Sequence, residues 1–170
     1  MILHLIRHPQ PLVDPGICYG RLDVAAENVP EAAAALRGEL PPGLPVWTSP
    51  LARCRKLAEA LHPSPAVDER LAEMDFGAWE GMSWDAIARE ELDAWAADIA
   101  GYAPPGGESP LALQRRALAF VTGLDVPEAV VVTHAGVIRM LVAHVRGLPP
   151  PCWPDLQFAF GSHTVLEFSR

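Results

Sequence analysis

The sequence has little of what several common kinds of site require. It contains three cysteines, Cys18, Cys54 and Cys152, and none of them belongs to a Cys-x-x-Cys pair. The absence of such a pair excludes zinc ribbons and dithiol redox motifs of the usual spacing. The few, widely spaced cysteines favour a reduced, cytoplasmic protein. The N-terminus lacks the segment order of a signal peptide. The most apolar stretch, residues 129–145, is too short and too polar at its centre to span a membrane, so we expect no membrane partner.

Basic residues are also scarce. The chain has 13 Lys and Arg against 21 Asp and Glu, which gives a formal net charge of −8. A protein that binds the nucleic-acid backbone needs a basic face, so nucleic acid is not an expected partner. The length of 170 residues, half of them hydrophobic, suits one domain over residues 1–170 with a substantial core. The composition leaves open whether that domain is a monomer or a homodimer.

Motifs of several phosphate-handling and hydrolytic classes are missing. No arginine follows a cysteine at the Cys-x5-Arg spacing of cysteine phosphatases. No Asp-x-Asp follows the first predicted strand, as a haloacid dehalogenase phosphatase would require. Walker A and His-Glu-x-x-His motifs are absent as well. If the chain acts on phosphate esters, its nucleophile is therefore of another type.

Strand-like and helix-like segments alternate along the chain. Strands are predicted at Ile2–Ile6, Val46–Thr48, Ala66–Val67, Ala129–Thr133, Gln157–Phe160 and Thr164–Phe168. Helices are predicted at Glu31–Leu40, Leu51–Leu61, Ser83–Ala100 (with one break allowed), Ser109–Leu124 and Val137–Val145. This alternation indicates an α/β fold, a three-layer αβα sandwich around a mostly parallel central sheet.

Two predicted strands lead directly into a histidine. His8 follows the first strand, and His134 follows the strand with the clearest β-branched run. Ligands of open α/β sheets bind at the carboxyl ends of the strands, so both rings are expected to face one crevice. The helix after His134 begins near Ala135 and Gly136, and its free N–H groups favour an anion there.

Two arginines belong to the same edge of the sheet. Arg7 precedes His8, and Arg53 lies in the first turn of the helix that follows another strand. Guanidinium groups bind phosphate oxygens bidentately and keep their charge. A neutral imidazole between them is able to attack phosphorus and form a phosphohistidine that water then hydrolyses. Glu73 is the candidate acid that protonates the leaving alkoxide.

Each of these residues has a purely structural explanation when it is taken alone. Arg7 and His8 suit a solvated strand end, and His134 suits a hydrogen-bonded core histidine. Arg53 suits a surface ion pair, and Glu73 a solvated loop. The catalytic interpretation depends on all of them occurring in one order and one structural context.

That combination resembles the histidine phosphatase superfamily, which has the phosphoglycerate mutase-like fold. The segments that carry the resemblance are Leu5–His8, Thr48–Cys54, Leu71–Gly81 and Val132–Gly136. The resemblance implies His8 as nucleophile and Glu73 as proton donor. It places Arg7, Arg53 and His134 around the phosphoryl group. It implies no metal, no cofactor and a small-molecule phosphate monoester as substrate.

A second resemblance concerns the substrate. Residues 17–24 resemble the Cys-Tyr-Gly-Arg-x-Asp segment of α-ribazole phosphatases, which act late in cobalamin biosynthesis. This implies α-ribazole 5′-phosphate as substrate. It also implies that Tyr19, Gly20 and Arg21 bind the substrate at the mouth of the site, with Ala135 beside them.

The chain also departs from the family pattern. Pro9 stands where the family usually has glycine, and Pro11 and Asp14 replace residues that are usually hydroxylic and amidic. Proline fixes φ and removes an N–H, so a different backbone path after His8 is expected. Two alternatives follow: a broad-range sugar phosphatase or phosphoglycerate mutase of the same fold, and a catalytically silent phosphoester-binding module. The short chain favours hydrolysis over a mutase reaction.

Overall fold

A five-stranded sheet forms the middle layer of the molecule. The computed structural model describes residues 1–169. Its strands are Ile2–Arg7 (β1), Val46–Thr48 (β2), Ala66–Val67 (β3), Glu128–Thr133 (β4) and His163–Glu167 (β5). The strand order is β3-β2-β4-β1-β5. The first four strands are parallel and β5 runs antiparallel to β1, which confirms the predicted, mostly parallel sheet.

The helices lie on both faces of this sheet. The α-helices of the described chain are Val29–Arg37 (α1), Ala52–Leu61 (α2), Arg89–Ala97 (α3), Pro110–Thr122 (α4) and Ala135–Val145 (α5). Short 3-10 turns occur at Glu69–Leu71, Gly77–Trp79, Trp84–Ala86 and Pro150–Asp155. Among residues 1–169, none of the helices combines the length and the apolar character that a membrane span requires.

The side chains of β4 alternate between the two faces of the sheet, and helices cover both faces. Ala129 and Val131 pack with residues of α4 and α5 in one buried cluster. Val130 and Val132 point to the other face and pack with residues of α1 and α2. Since successive side chains of a strand point to opposite faces, a strand covered on both sides reads as a continuous apolar run. The predicted αβα sandwich is confirmed.

The helix predicted over Ser83–Ala100 is divided at the allowed break. The Ser83 side chain accepts a hydrogen bond from Asp85 N and caps the short turn Trp84–Ala86 rather than a long helix. The chain is extended at Ile87 and Ala88, and α3 begins only at Arg89. Ser83 therefore caps a shorter element than the predicted helix.

The strand predicted over Gln157–Phe160 is wrong. These residues cross the end of β1 and finish in a turn at Gly161, whose φ is +70°. The Phe158 carbonyl accepts a hydrogen bond from the Arg7 side chain instead of joining a strand ladder. The Arg7 side chain thus satisfies the Phe158 carbonyl, which the apolar pattern had predicted to bond to a neighbouring strand.

Candidate active site

Three parallel strands end at one edge of the sheet and bring four motif residues together there. Arg7 is the last residue of β1, and His8 follows it. His134 follows β4, and Arg53 lies in the first turn of α2, just beyond β2. The His8 and His134 ring centroids are 5.1 Å apart, with an angle of 62° between the rings. The expected convergence of the two histidines therefore occurs.

The His8 ring is held in a single tautomer. Its Nδ1 lies 2.7 Å from the carbonyl oxygen of Pro9, which can only accept a hydrogen bond, so Nδ1 carries the proton. Burial lowers the pKa of His8 to about 3, and the charges of Arg53 and Arg7 act in the same direction. At neutral pH the ring is uncharged and its Nε2 keeps a lone pair. The acceptor that orients this ring is the backbone carbonyl of residue 9, so the proline found there in place of the family's usual glycine is compatible with it.

Arg53 is fixed by backbone carbonyls of a neighbouring loop. Its side chain is completely buried. Nη1 donates to Leu22 O at 2.9 Å, and Nη2 donates to Gly20 O at 2.6 Å. Within residues 1–169 its Nε has no hydrogen-bond partner. A buried, charged donor without a partner is costly, so this nitrogen is poised to bind an anion.

Arg7 is held in a similar way. Its Nη1 donates to Phe158 O at 2.5 Å, while its buried Nε has no partner in the described part of the chain. Burial lowers the pKa of Arg7, and Tyr19 and Glu73 oppose that shift. An arginine side chain nevertheless stays charged in a protein. Two guanidinium groups therefore each offer an unused donor beside the His8 ring.

The Nε2 atom of His134 contacts the uncharged side chains of Ser49 and Cys54. The ring is completely buried, and its Nε2 lies 2.7 Å from Ser49 Oγ. Burial lowers the pKa of His134 well below its ordinary value, and Arg53 and His8 add to that shift. The Cys54 thiol lies 3.4 Å from the same nitrogen, and burial raises the pKa of that thiol, so it stays neutral. No negative charge from these neighbours opposes a phosphate dianion.

Two of the buried histidines, His8 and His134, make stability depend on pH. Their pKa values are lowered in the folded state, while an unfolded chain titrates near 6.5. Their contribution to stability is complete above that pH and is lost as pH falls toward the folded pKa, about 3 for His8. Between about pH 6.5 and 5 we expect the free energy of unfolding to fall by about 1.4 kcal/mol per pH unit for each histidine.

Urea denaturation across that range measures this dependence. His8→Asn removes one of the two groups, so its stability should fall less steeply with acidification than that of the wild type. The exposed His144 provides a matched control, because His144→Asn should leave the slope unchanged. An identical slope in His8→Asn and the wild type would contradict a lowered pKa for His8.

Glu73 lies against the N-terminus of α5. Its Oε2 accepts from Gly136 N at 3.1 Å, and its Oε1 accepts from Met74 N at 2.9 Å. A Cβ at position 136 would lie 2.1 Å from Glu73 Oε1, so only glycine allows this approach. The sequence predicted an anion-binding helix end here, and in the structure the Gly136 N–H donates to the Glu73 carboxyl group of the protein itself.

The four residues predicted to bind the substrate divide into two groups. Tyr19 and Ala135 line the cavity beside His8. Gly20 and Arg21 are not among its lining residues in the described chain, contrary to expectation. Gly20 packs so closely that a Cβ would lie 1.9 Å from Met74 O. The Arg21 Nε donates to Glu73 O at 2.9 Å. These two residues therefore build the wall that carries Tyr19 and Glu73.

Sequence reasoning missed Glu80 and Arg139. The Glu80 carboxylate accepts backbone hydrogen bonds from residues 20–22 and from Phe76, and it fixes the loop that Arg53 also contacts. Its place in the Leu71–Gly81 segment was the available signal. Arg139 lines the cavity near Arg7, and its charge helps to lower the pKa of Arg7. Its position one helical turn after Ala135 indicates the same face of α5.

The cavity beside these groups has a volume of about 400 Å³. Its polar lining residues are Arg7, His8, Tyr19, Glu73 and Arg139. The other walls are largely apolar and include Ile17, Phe76, Trp84, Trp95, Met140 and Trp153. Trp84 and Trp95 are stacked, with ring centroids 5.8 Å apart and planes 8° apart. Among residues 1–169, no three His, Cys, Asp or Glu side chains converge in a way that could hold a metal ion.

The departures at Pro11 and Asp14 leave this cavity unobstructed. Pro11 forms an isolated bridge with Ala26. The Asp14 side chain is exposed, and Asp14 is not among the cavity-lining residues of the described chain. Its carboxylate therefore does not stand beside the two arginines, where it would repel a phosphate dianion.

Comparison with known proteins gives a consistent family. The model of the histidine phosphatase superfamily, branch 1, matches residues 3–170. The chain is 34% identical to glucosyl-3-phosphoglycerate phosphatase of Mycolicibacterium vanbaalenii, over 91% of this chain and 78% of that protein. It is 27% identical to adenosylcobalamin/alpha-ribazole phosphatase of Salmonella typhimurium, over 66% and 69%.

A solved structure extends this similarity to the fold. The crystal structure of phosphoglycerate mutase from Thermus thermophilus is 33% identical, with a TM-score of 0.82, over 100% of this chain and 95% of that one. The solved structure and the curated relatives indicate the same family as the family model, which matches nearly the whole chain. The chain therefore belongs to the histidine phosphatase superfamily, has the phosphoglycerate mutase-like fold and is a phosphatase.

Proposed function

We propose that this phosphatase hydrolyses α-ribazole 5′-phosphate through a phosphohistidine on His8. The orientation and neutral state of the His8 ring support this mechanism. Its Nδ1 proton is engaged by Pro9 O, and burial keeps the ring neutral, so Nε2 is free to attack. Arg7 and Arg53 each keep an Nε without a hydrogen-bond partner among residues 1–169, and these guanidinium groups suit the equatorial oxygens of a phosphoryl group.

The proposed reaction has two steps. In the first, His8 Nε2 forms a bond to phosphorus while the bond to the ester oxygen breaks, and Glu73 gives its proton to the leaving alkoxide. In the second, Glu73 takes a proton from water, and that water attacks phosphorus and releases His8. The arginines and His134 compensate the charge on the phosphoryl oxygens in both steps.

Two features support the ribazole ester as substrate. Residues 17–24 match the segment found in α-ribazole phosphatases, and Tyr19 of that segment lines the cavity. Apart from its polar lining residues, the cavity is lined by apolar and aromatic groups, including Trp84 and Trp95. A leaving group with a flat aromatic base buries apolar surface there, whereas a plain sugar would leave hydroxyl groups without partners.

A second candidate substrate is glucosyl-3-phosphoglycerate. The mycobacterial relative named for it is 34% identical to this chain. Arg139 gives a structural reason, because it places a third guanidinium on the cavity wall near Arg7. The glycerate part of such a substrate carries a carboxylate, which an arginine binds well. The ribazole ester has no second anionic group for Arg139 to bind.

Phosphate release from a panel of esters decides between these substrates. We expect α-ribazole 5′-phosphate to exceed glucosyl-3-phosphoglycerate, 3-phosphoglycerate and p-nitrophenyl phosphate in kcat/KM. Arg139→Ala should then leave kcat/KM for the ribazole ester within about threefold. A preference for glucosyl-3-phosphoglycerate that Arg139→Ala removes would establish the second candidate instead.

The same panel tests the remaining alternatives. Conversion of 3-phosphoglycerate into its isomer, without release of phosphate, would identify a mutase. Binding of phosphate without turnover of any ester would identify a silent phosphoester-binding module.

The free thiols Cys18, Cys54 and Cys152 support our proposal that the enzyme works in the cytoplasm. The net charge of −8 supports a small-molecule ester, rather than nucleic acid, as its partner.

A further inference from the structure

The Arg7 guanidinium is enclosed by a segment that lies close to it in space but far from it in sequence. The Cζ of Arg7 lies 3.7 Å from the centroid of the Phe160 ring. The Phe158 carbonyl, two residues earlier, accepts a hydrogen bond from Nη1 at 2.5 Å. The ring therefore covers the guanidinium near its centre, and the carbonyl engages one of its terminal nitrogens.

The turn that carries Phe160 is tied to the catalytic strand. Ser162 N donates to Ala159 O at 3.1 Å, which closes a four-residue turn, and Gly161 supplies the positive φ that its third position requires. Gly161 N donates to His8 O, and Arg7 N donates to Ser162 O, both at 3.1 Å. The turn is thus hydrogen-bonded to both residues of the Arg7-His8 pair.

We propose that Phe160 is a positioning residue, which sets the plane of the Arg7 guanidinium so that its Nε edge addresses the phosphoryl group. This inference rests on the proposed contact between Arg7 and phosphate. Phe158 O occupies Nη1, and Nε is buried without a partner among residues 1–169. The Arg7 side chain also hydrogen-bonds Tyr19, so Nε is the donor that remains for an oxyanion.

Phe160 acts through Arg7 and not by contact with the ester. It is not among the cavity-lining residues of the described chain, and its ring centroid lies 5.7 Å from that of His8. The ring is 38% exposed, so its own burial contributes only part of a core residue's hydrophobic stabilisation. A cation over the face of an aromatic ring is attracted by the ring quadrupole, and partial removal from water strengthens that attraction.

The test compares substitutions that keep or remove the aromatic face. Phe160→Leu keeps an apolar side chain without a π face, and Phe160→Tyr keeps the face. We expect Phe160→Leu to lower kcat/KM for p-nitrophenyl phosphate by about three- to thirtyfold and to weaken the binding of inorganic phosphate. Phe160→Tyr should retain both properties. Val165, exposed on β5, provides the control, since Val165→Ala should change neither.

Two outcomes would overturn the proposal. One is wild-type kinetics and phosphate affinity in Phe160→Leu. The other is equal impairment of the Leu and Tyr variants, which would mean that the aromatic face has no special role. The dissociation constant for inorganic phosphate, measured by calorimetry, needs no turnover. It therefore tests Phe160 even if the proposed function fails and the wild type hydrolyses no ester.

Discussion

Replacement of His8 by alanine is expected to reduce turnover of every phosphate monoester by about 10⁴-fold or more, because it removes the nucleophile itself. The fold should survive. Among the described residues His8 makes one side-chain hydrogen bond, to Pro9 O, and the polypeptide around it is held by backbone bonds to Thr133 and Gly161. Removal of a buried neutral histidine should also make stability less sensitive to acidification.

Labelling with a 32P-ester tests the covalent step directly. After rapid alkaline denaturation the wild type should retain label, because a phosphohistidine survives alkali and is lost in acid. His8→Ala should retain none, and His144→Ala, an exposed histidine at the other end of α5, should label like the wild type. Stable labelling of His8→Ala would assign the covalent step to another residue.

Substitution of Arg53 by lysine is expected to lower kcat/KM by about 10²- to 10³-fold, although the charge is kept. The Arg53 guanidinium donates to Gly20 O and Leu22 O while its Nε remains available. A lysine ammonium has no planar fork and cannot satisfy two carbonyls and a phosphate in this geometry. The loss of one buried carbonyl's partner should also lower stability by about 1 to 3 kcal/mol.

Arg55 offers a matched control on the same helix. Its side chain is 45% exposed, and it forms an ion pair with Glu59 one turn along α2. Arg55→Lys should therefore leave both kinetics and stability near wild-type values. Kinetic constants in Arg53→Lys as little changed as in Arg55→Lys would place Arg53 outside the reacting site, despite its burial next to His134.

Local patterns were sufficient to predict most of the framework. The β-branched run at Ala129–Thr133 is covered on both faces, and such strands have a continuous apolar sequence that is easy to identify. His8 and His134 were predicted to converge because parallel strands present their carboxyl ends at one edge. The failure at Gln157–Phe160 has a tertiary cause, since Arg7 engages a carbonyl of that segment.

Sequence patterns predicted only part of the cavity wall. Glu80 lies in a recognisable segment, but its hydrogen bonds to residues 20–22, which are distant along the chain, became apparent only in the structure. Gly20 and Arg21 lie inside a recognisable segment, yet only the packing shows that they support the wall rather than line it. The spacing of residues in a sequence indicates which face of a helix or strand a side chain occupies. It does not indicate which residues from other parts of the chain pack against that face.

The sequence by itself determined the strand-end chemistry: Arg7, His8 and His134 follow apolar strands, and that order places imidazole and guanidinium groups at one edge of a sheet. The tertiary structure alone decided how these groups are set for reaction. The tautomer of His8 depends on the backbone path that brings the neighbouring Pro9 carbonyl to its Nδ1, and the unused donor of each arginine depends on which carbonyls from other loops occupy the rest. Such properties arise from burial, from the local backbone path and from contacts between distant residues, because both the desolvation of a charge and the pairing of a donor are set by the three-dimensional surroundings.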